Sequence, residues 1–292
     1  MNEKKVYPLA FLIPAVVVYS LLFFIPSLFS FYYSMTDWNG FNDRMNFIGL
    51  DNYRQLFDDT SGFVHYFKNT VIFGLATTLL KNVIGLGLAI LLNEGLKSRN
   101  ALRTIFFIPY SLSPLIIGLI FASVFDANHG LLNNALSAVG LSSWTKGWLI
   151  DTLYAMPAVI SVETWKFVGF NMIIYLAGLQ MIDKAYYEAA SIDGASRRAK
   201  FFQITMPLIM PAFTINLILN LINGFKVFDL IFVLTRGGPG NVTEVMNTAV
   251  FREFSAGRYG SATAIGVVLF LMTTVIALSV LSMLSRRTEV ER

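Results

Sequence analysis

The 292-residue chain is 55% hydrophobic and 14% charged, with a mean hydropathy of +0.61 and a formal net charge of +4. Soluble domains carry about 25% charged residues, so an ordinary soluble globule and a disordered chain are both excluded. The lack of Cys removes disulfides and thiolate chemistry, two His supply little for a metal centre, and a basic excess in so apolar a chain belongs in membrane-protein loops rather than against nucleic acid.

A membrane-spanning helix requires about 20 mainly apolar residues. Six stretches meet this requirement, at 8–33, 69–93, 104–125, 153–182, 206–235 and 261–285. The chain begins like a signal peptide, with Met1 to Lys5 before an apolar run. That run exceeds the roughly 7–15 residues of a signal core and has no small-residue cleavage site after it, so it is read as a retained first span. Pro14, Pro26, Pro109, Pro114, Pro157 and Pro211 fall inside spans, where neighbouring helices can satisfy the freed backbone groups.

The first, third and sixth spans hold no charge. The second holds Lys81, the fourth Glu163 and Lys166, and the fifth Lys226 and Asp229. An i, i+3 spacing lets each of the last two couples pair across one helix face, either as neutralising packing or as part of a solute path. Lys81 stands alone, with Glu163, Asp229 or another subunit as its partner. In span five, Asn216, Asn220 and Asn223 form a polar stripe, suited to helix association or to the hydroxyls of a sugar. Trp165, Phe167 and Phe170 flank the charges of span four.

Basic residues set the orientation. With the N-terminus inside, the inner segments hold Lys4, Lys5, Lys97, Arg99, Arg103, Lys184, Arg197, Arg198, Lys200, Arg286, Arg287 and Arg292. The outer loops hold fewer: Arg44, Arg54, Lys68, Lys146, Arg236, Arg252 and Arg258. Both termini are therefore expected in the cytoplasm, and the acids, including Asp43 and Asp59, lean outward. The outer stretch 236–260, opening Gly237-Gly238-Pro239-Gly240, reads as a flexible turn followed by a short surface helix.

The inner loop 183–205 reads as two short helices. Asp183 is the N-cap of the first, Asp193-Gly194 the turn, and Ser196 the cap of the second. Tyr186, Ala189 and Ala190 share a face, with Glu188 and Asp193 beside it. Such a small apolar face with an acidic edge suits either protein docking or a plain solvated connector.

Glu188-Ala189-Ala190, Gly194 and Ile204-Thr205-Met206-Pro207 resemble the EAA loop of binding-protein-dependent ABC transporter permeases, with Met206 where Leu is usual. Tyr33-Ser34-Met35-Thr36-Asp37-Trp38, Gly49-Leu50-Asp51-Asn52-Tyr53 and Leu234-Thr235-Arg236-Gly237-Gly238-Pro239 extend the resemblance to carbohydrate-uptake permeases of the maltose-transporter type. The resemblance implies an all-α integral membrane protein. It would be a single permease domain over residues 1–292, with six transmembrane helices and a cytoplasmic EAA coupling helix between spans four and five.

It implies that Tyr186, Glu188, Ala189, Ala190, Asp193 and Gly194 meet an ATPase subunit. It places solute contacts at Glu163, Lys166, Phe167, Phe170, Asn223, Gly224 and Val227, to which the polar stripe adds Asn220. The implied partners are a second homologous permease in a heterodimer, two ATPase subunits, an extracytoplasmic solute-binding protein, membrane lipid and a sugar, with no nucleic acid. The implied location is a bacterial or archaeal plasma membrane.

The sequence has no G-x4-G-K-[ST] loop. The chain is thus expected to be a transport subunit rather than an enzyme, with no catalytic residue, metal site or cofactor of its own and with ATP and Mg held by the partner ATPase. The competing readings are an ion-coupled secondary transporter, with Glu163, Lys166 and Asp229 as a proton relay, and an ABC permease for a glycerol-phosphate-like solute.

Overall fold

The computed structural model describes residues 9–42, 44–58, 62–94 and 98–289, the side chains of 9–10 and 285–289 excepted. The expected start of span one, the basic residues Lys4, Lys5, Lys97 and Arg292, the side chains of Arg286 and Arg287, and Asp43 and Asp59 lie outside the described residues. In chain order the helices are α1 (Ile13–Tyr33), α2 (Asp51–Leu56), α3 (Phe63–Asn93), α4 (Arg99–Ser111), α5 (Pro114–Val124), α6 (Leu131–Ala138) and α7 (Ala155–Gln180). They continue with α8 (Lys184–Ile192), α9 (Arg197–Leu208), α10 (Met210–Phe225), α11 (Asp229–Leu234), α12 (Met246–Ser255) and α13 (Tyr259–Glu289). No strand occurs among the described residues beyond the isolated bridge Thr36↔Phe47.

Helices α1, α3, α7 and α13 are each long and apolar enough to cross a membrane. The bent pairs α4 with α5 and α9 with α10 raise the number to six when each pair counts as one span. The third and fifth expected spans are therefore not straight rods. Pro114 drives the preceding residue out of the helical region. Ser113 accordingly sits at φ −59°, ψ 137° and caps α5, and the chain turns by 98°. Pro211 has no N–H to return to the preceding turn, and the axis turns by 68° at Ile209. Pro109, by contrast, is accommodated inside α4.

The chain divides into two compact units, residues 1–63 with 249–270, and residues 64–248 with 271–292. In the first, α1 buries none of its residues. The two motifs that follow it are bonded to each other: the buried Asn52 side chain donates to the carbonyls of Ser34 and Thr36, both at 2.8 Å, and the Ser34 and Tyr53 hydroxyls lie 2.6 Å apart. Rings run from Tyr33 to Trp38 to Tyr259 to Phe254 at centroid spacings of 4.6, 4.8 and 4.8 Å.

Arg258 donates to both carboxylate oxygens of the buried Glu253, with Arg252 at 3.5 Å. Burial alone would push the Glu253 carboxyl up, but the hydrogen bonds and charges of Arg258 and Arg252 outweigh it and hold the carboxyl below the usual glutamate range. A depressed native pKa stabilises the fold above the ordinary value and loses that contribution as pH falls through the native value. Glu253→Gln is therefore expected to lower the thermal midpoint by a few degrees at pH 7. The gap to wild type should narrow progressively as pH falls below the ordinary glutamate range, in detergent-solubilised chain followed by intrinsic fluorescence.

In the second unit, one core cluster joins Phe73, Ile117, Val159, Val162 and Ile231, and another joins Ala89, Met172, Tyr175 and Ile209. The loop after α11 is braced rather than loose, contrary to the expected flexible turn. Thr243 Oγ1 donates to the Gly238 carbonyl at 2.7 Å, and Asn69 donates to the carbonyls of Asn241 and Glu244 at 3.2 and 2.9 Å. Helix α12 begins there, with Met246 fully buried.

Candidate functional site

The loop that follows α7 carries local signals that the backbone obeys. Asp183, in extended conformation, accepts a hydrogen bond from the Ala185 N–H at 2.9 Å and starts α8. Gly194 stops it at φ +71°. Its N–H donates to the Ser191 carbonyl at 3.2 Å and that of Ala195 to the Ala190 carbonyl at 2.9 Å, the paired bonds of a Schellman cap. Ser196 accepts from the Ala199 N–H at 3.2 Å and starts α9.

Two side-chain contacts then hold α8 to the next helix. The Tyr187 and Thr205 hydroxyls lie 2.9 Å apart, and Lys200 Nζ donates to Ser191 Oγ at 2.6 Å. Tyr186, Glu188, Ala189, Asp193 and Gly194 are left exposed, and Ala190 half-buried. The result is a short, capped helix with one side braced and the other open.

The charged residues of the spans meet differently from the expected i, i+3 couples. Lys81 Nζ, fully buried on α3, donates to Glu163 Oε1 of α7 at 2.8 Å. Among the described residues no carboxylate lies within 4 Å of Lys166, whose ammonium sits 5.1 Å from the Phe167 ring centroid. Lys81 reaches across from the neighbouring helix and takes the carboxylate that an i, i+3 pair with Lys166 would have used. The expected Lys226 and Asp229 couple fails for a backbone reason. Helix α10 ends at Phe225 and α11 starts at Asp229, so the spacing no longer defines one face, and both side chains are exposed.

The Phe167 ring also lies 4.3 Å from Lys81 Nζ. Tyr110 of α4 meets it edge-on at 5.4 Å and stacks on Phe170 at 4.5 Å and 19°. Phe167 and Phe170 are half-buried, and Asn223 is exposed.

The asparagine stripe divides. Asn220 and Asn171 exchange side-chain amide bonds, and Asn216 donates to the Asn171 carbonyl at 3.2 Å. These two stripe residues join α10 to α7, while Asn223 stays open. Three expected solute contacts therefore have other surroundings: Asn220 is buried in the amide pair, Val227 sits in the core cluster with Phe73, and Gly224 lies against α3. A Cβ on Gly224 would come within 2.8 Å of Gly74 Cα, so its missing side chain serves a helix crossing. Of the other expected contacts, Phe167, Phe170 and Asn223 keep accessible surface, while Glu163 and Lys166 are buried.

Tyr110 and Asn171 were not anticipated, nor was the bond from the Tyr175 hydroxyl to Asn82 Oδ1. Glu163, Phe167, Asn171 and Tyr175 recur every four residues along α7, a polar and aromatic row that signals one packed face. Nothing comparable marks Tyr110.

Residues 81–290 match the family described as "Binding-protein-dependent transport system inner membrane component". The chain is 35% identical to "Probable starch degradation products transport system permease protein AmyD" of Thermoanaerobacterium thermosulfurigenes, over 96% of this chain and 94% of that one. It is 34% identical to "Trehalose/maltose transport system permease protein MalF" of Thermococcus litoralis, over 89% and 88%. A chain of the solved "bacterial alginate ABC transporter in complex with alginate pentasaccharide-bound periplasmic protein" superposes with a TM-score of 0.81 at 28% identity, over 93% of this chain and 91% of that one. With six candidate spans, a capped loop helix between the fourth and fifth, and these matches over nearly its full length, the chain belongs to the binding-protein-dependent transport system inner membrane component family and is an integral membrane permease of the ABC type.

Proposed function

We propose that this chain is one permease subunit of an ATP-driven carbohydrate importer, its solute a neutral or acidic oligosaccharide. The observation that carries the reading is α8, an exposed helix capped at both ends and braced to the α9 segment that leads into α10. Such a helix is built to transmit a push. The sugar systems in which the relatives act, and the alginate-bound periplasmic protein solved in complex with the alginate transporter, support the carbohydrate assignment and an extracytoplasmic binding protein.

In this reading the whole chain is one permease domain, with both termini cytoplasmic. It pairs with a second, homologous permease and with two ATPase subunits that hold ATP and Mg. ATP binding closes the ATPases and moves the EAA helices of both permeases together. The cavity then opens outward to take sugar from the binding protein, and hydrolysis resets it. Glu163 is bonded to Lys81 rather than exposed in a chain of carboxylates, which disfavours the proton-relay alternative.

The test is uptake by the complete importer in proteoliposomes with ATP inside. Glu188→Lys places an ammonium on the exposed face, and Gly194→Val forces a β-branched residue to φ +71°, unfavourable by about 1–2 kcal/mol. Each is expected to cut ATP-driven uptake of radiolabelled maltose, trehalose or diacetylchitobiose more than tenfold while the subunits still co-purify. Wild-type uptake by both assembled variants, or accumulation driven by membrane potential with no ATPase present, overturns the reading.

A further inference from the structure

We propose that Lys81 is a positioning residue for the solute site, holding Glu163 and Phe167 in place without touching solute itself. The proposal rests on the cavity reading above, and its core is one atom with two neighbours. Lys81 Nζ is 2.8 Å from Glu163 Oε1 and 4.3 Å from the centroid of the Phe167 ring. A single ammonium therefore restrains the carboxylate by a charge-assisted hydrogen bond and the ring by a cation–π contact. Both residues stand on α7, one turn apart.

The ammonium is itself held. Lys81 is 0% exposed. The next residue, Asn82, accepts from the Tyr175 hydroxyl of α7 and donates to the Thr78 carbonyl at 2.7 Å. Helix α3 is thereby bound to α7 at two successive residues, so Lys81 cannot follow a moving solute. It fills the role that a rigid supporting contact plays behind a binding residue.

The same pair separates the roles of the two lysines near span four. Lys81 is spent on Glu163. Lys166 as a whole is buried, and among the described residues its ammonium has no carboxylate within 4 Å, though it lies in the field of Glu163 and Asp229. Lys81 is thus the cation that holds Glu163, and Lys166 is the one left without a carboxylate partner within 4 Å among the described residues. Phe167 lies close to both ammonium groups, and through Tyr110 its placement reaches Phe170.

The experiment measures uptake kinetics in the reconstituted importer with whichever of radiolabelled maltose, trehalose or diacetylchitobiose the wild type takes up fastest. Lys81→Arg keeps a cation that can bond Glu163 and face the ring, and is expected to hold KM within about threefold of wild type. Glu163→Gln should raise KM. Lys81→Met/Glu163→Gln, which carries no buried unpaired charge, should raise it at least threefold further, with kcat close to that of Glu163→Gln and a thermal midpoint close to wild type. A KM for the double variant equal to that of Glu163→Gln overturns the positioning role.

Phe170→Ala and Asn223→Ala report on the cavity independently. If they leave KM unchanged the cavity reading fails, whereas if they raise KM and Lys81 substitutions do not, only the positioning role fails. Should the wild type take up none of the three sugars, the Cys-free chain offers a solute-free readout. A single Phe170→Cys is expected to label several-fold faster with a methanethiosulfonate reagent in the Lys81→Met/Glu163→Gln background than with Lys81 and Glu163 present, and equal rates overturn the proposal.

Discussion

Lys81→Met alone is expected to deplete the folded chain from the membrane, while Lys81→Met/Glu163→Gln restores it. Lys81 is fully buried, and the Glu163 side chain is 7% exposed. Methionine fills much of the volume of the lysine stem but leaves the carboxylate without its counter-charge in a low-dielectric interior. Removing one partner of a buried pair costs about 3–5 kcal/mol, whereas removing both charges is often neutral. A typical domain has only about 5–15 kcal/mol of stability in total, so the single variant should lose much of it. The readout is the monodisperse fraction on size-exclusion chromatography of solubilised membranes, together with the thermal midpoint. A single variant as stable as the double contradicts the structural assignment of the pair.

Gly169→Ala is expected to be nearly as damaging, through sterics rather than charge. An ideal Cβ at Gly169 falls 1.9 Å from the Phe106 carbonyl oxygen and 2.9 Å from Phe107 Cα. The obstacles are backbone atoms of α4 and no rotamer change removes them, so α4 and α7 must separate along their crossing. Overpacking costs about 1–3 kcal/mol where side chains can adjust, and here they cannot, so the penalty should reach the top of that range. Gly169 lies between Phe167 and Phe170, and the separation would also pull both rings from Tyr110. The control is Gly87→Ala on α3, where a Cβ meets nothing within 4 Å. The expected result is a large drop in thermal midpoint and uptake for Gly169→Ala and none for Gly87→Ala.

What could be read in the amino-acid order is what adjacent residues decide. Apolar length marks α1, α3, α7 and α13 as crossing helices because the hydrocarbon thickness imposes it. Asp183, Gly194 and Ser196 mark the ends of the loop helices because a cap acts on backbone groups two to five residues away. The prolines were harder to interpret. Pro109 and Pro114 look alike in an apolar run, yet only Pro114 coincides with a break, since helix packing determines whether an interrupted backbone is bridged or bent.

The site residues divide along the same line. Sequence alone established that five charges and an asparagine stripe lie in apolar spans, and that polar groups there must find partners. Tertiary structure decided which partners. Lys81 rather than Lys166 took Glu163, Asn216 and Asn220 turned to α7 while Asn223 stayed open, and Gly169 and Gly224 sit where two backbones cross. Helix identity is a local property of spacing and hydropathy, but partner choice depends on the rotation and approach of helices far apart in the chain. No spacing within one helix encodes that geometry.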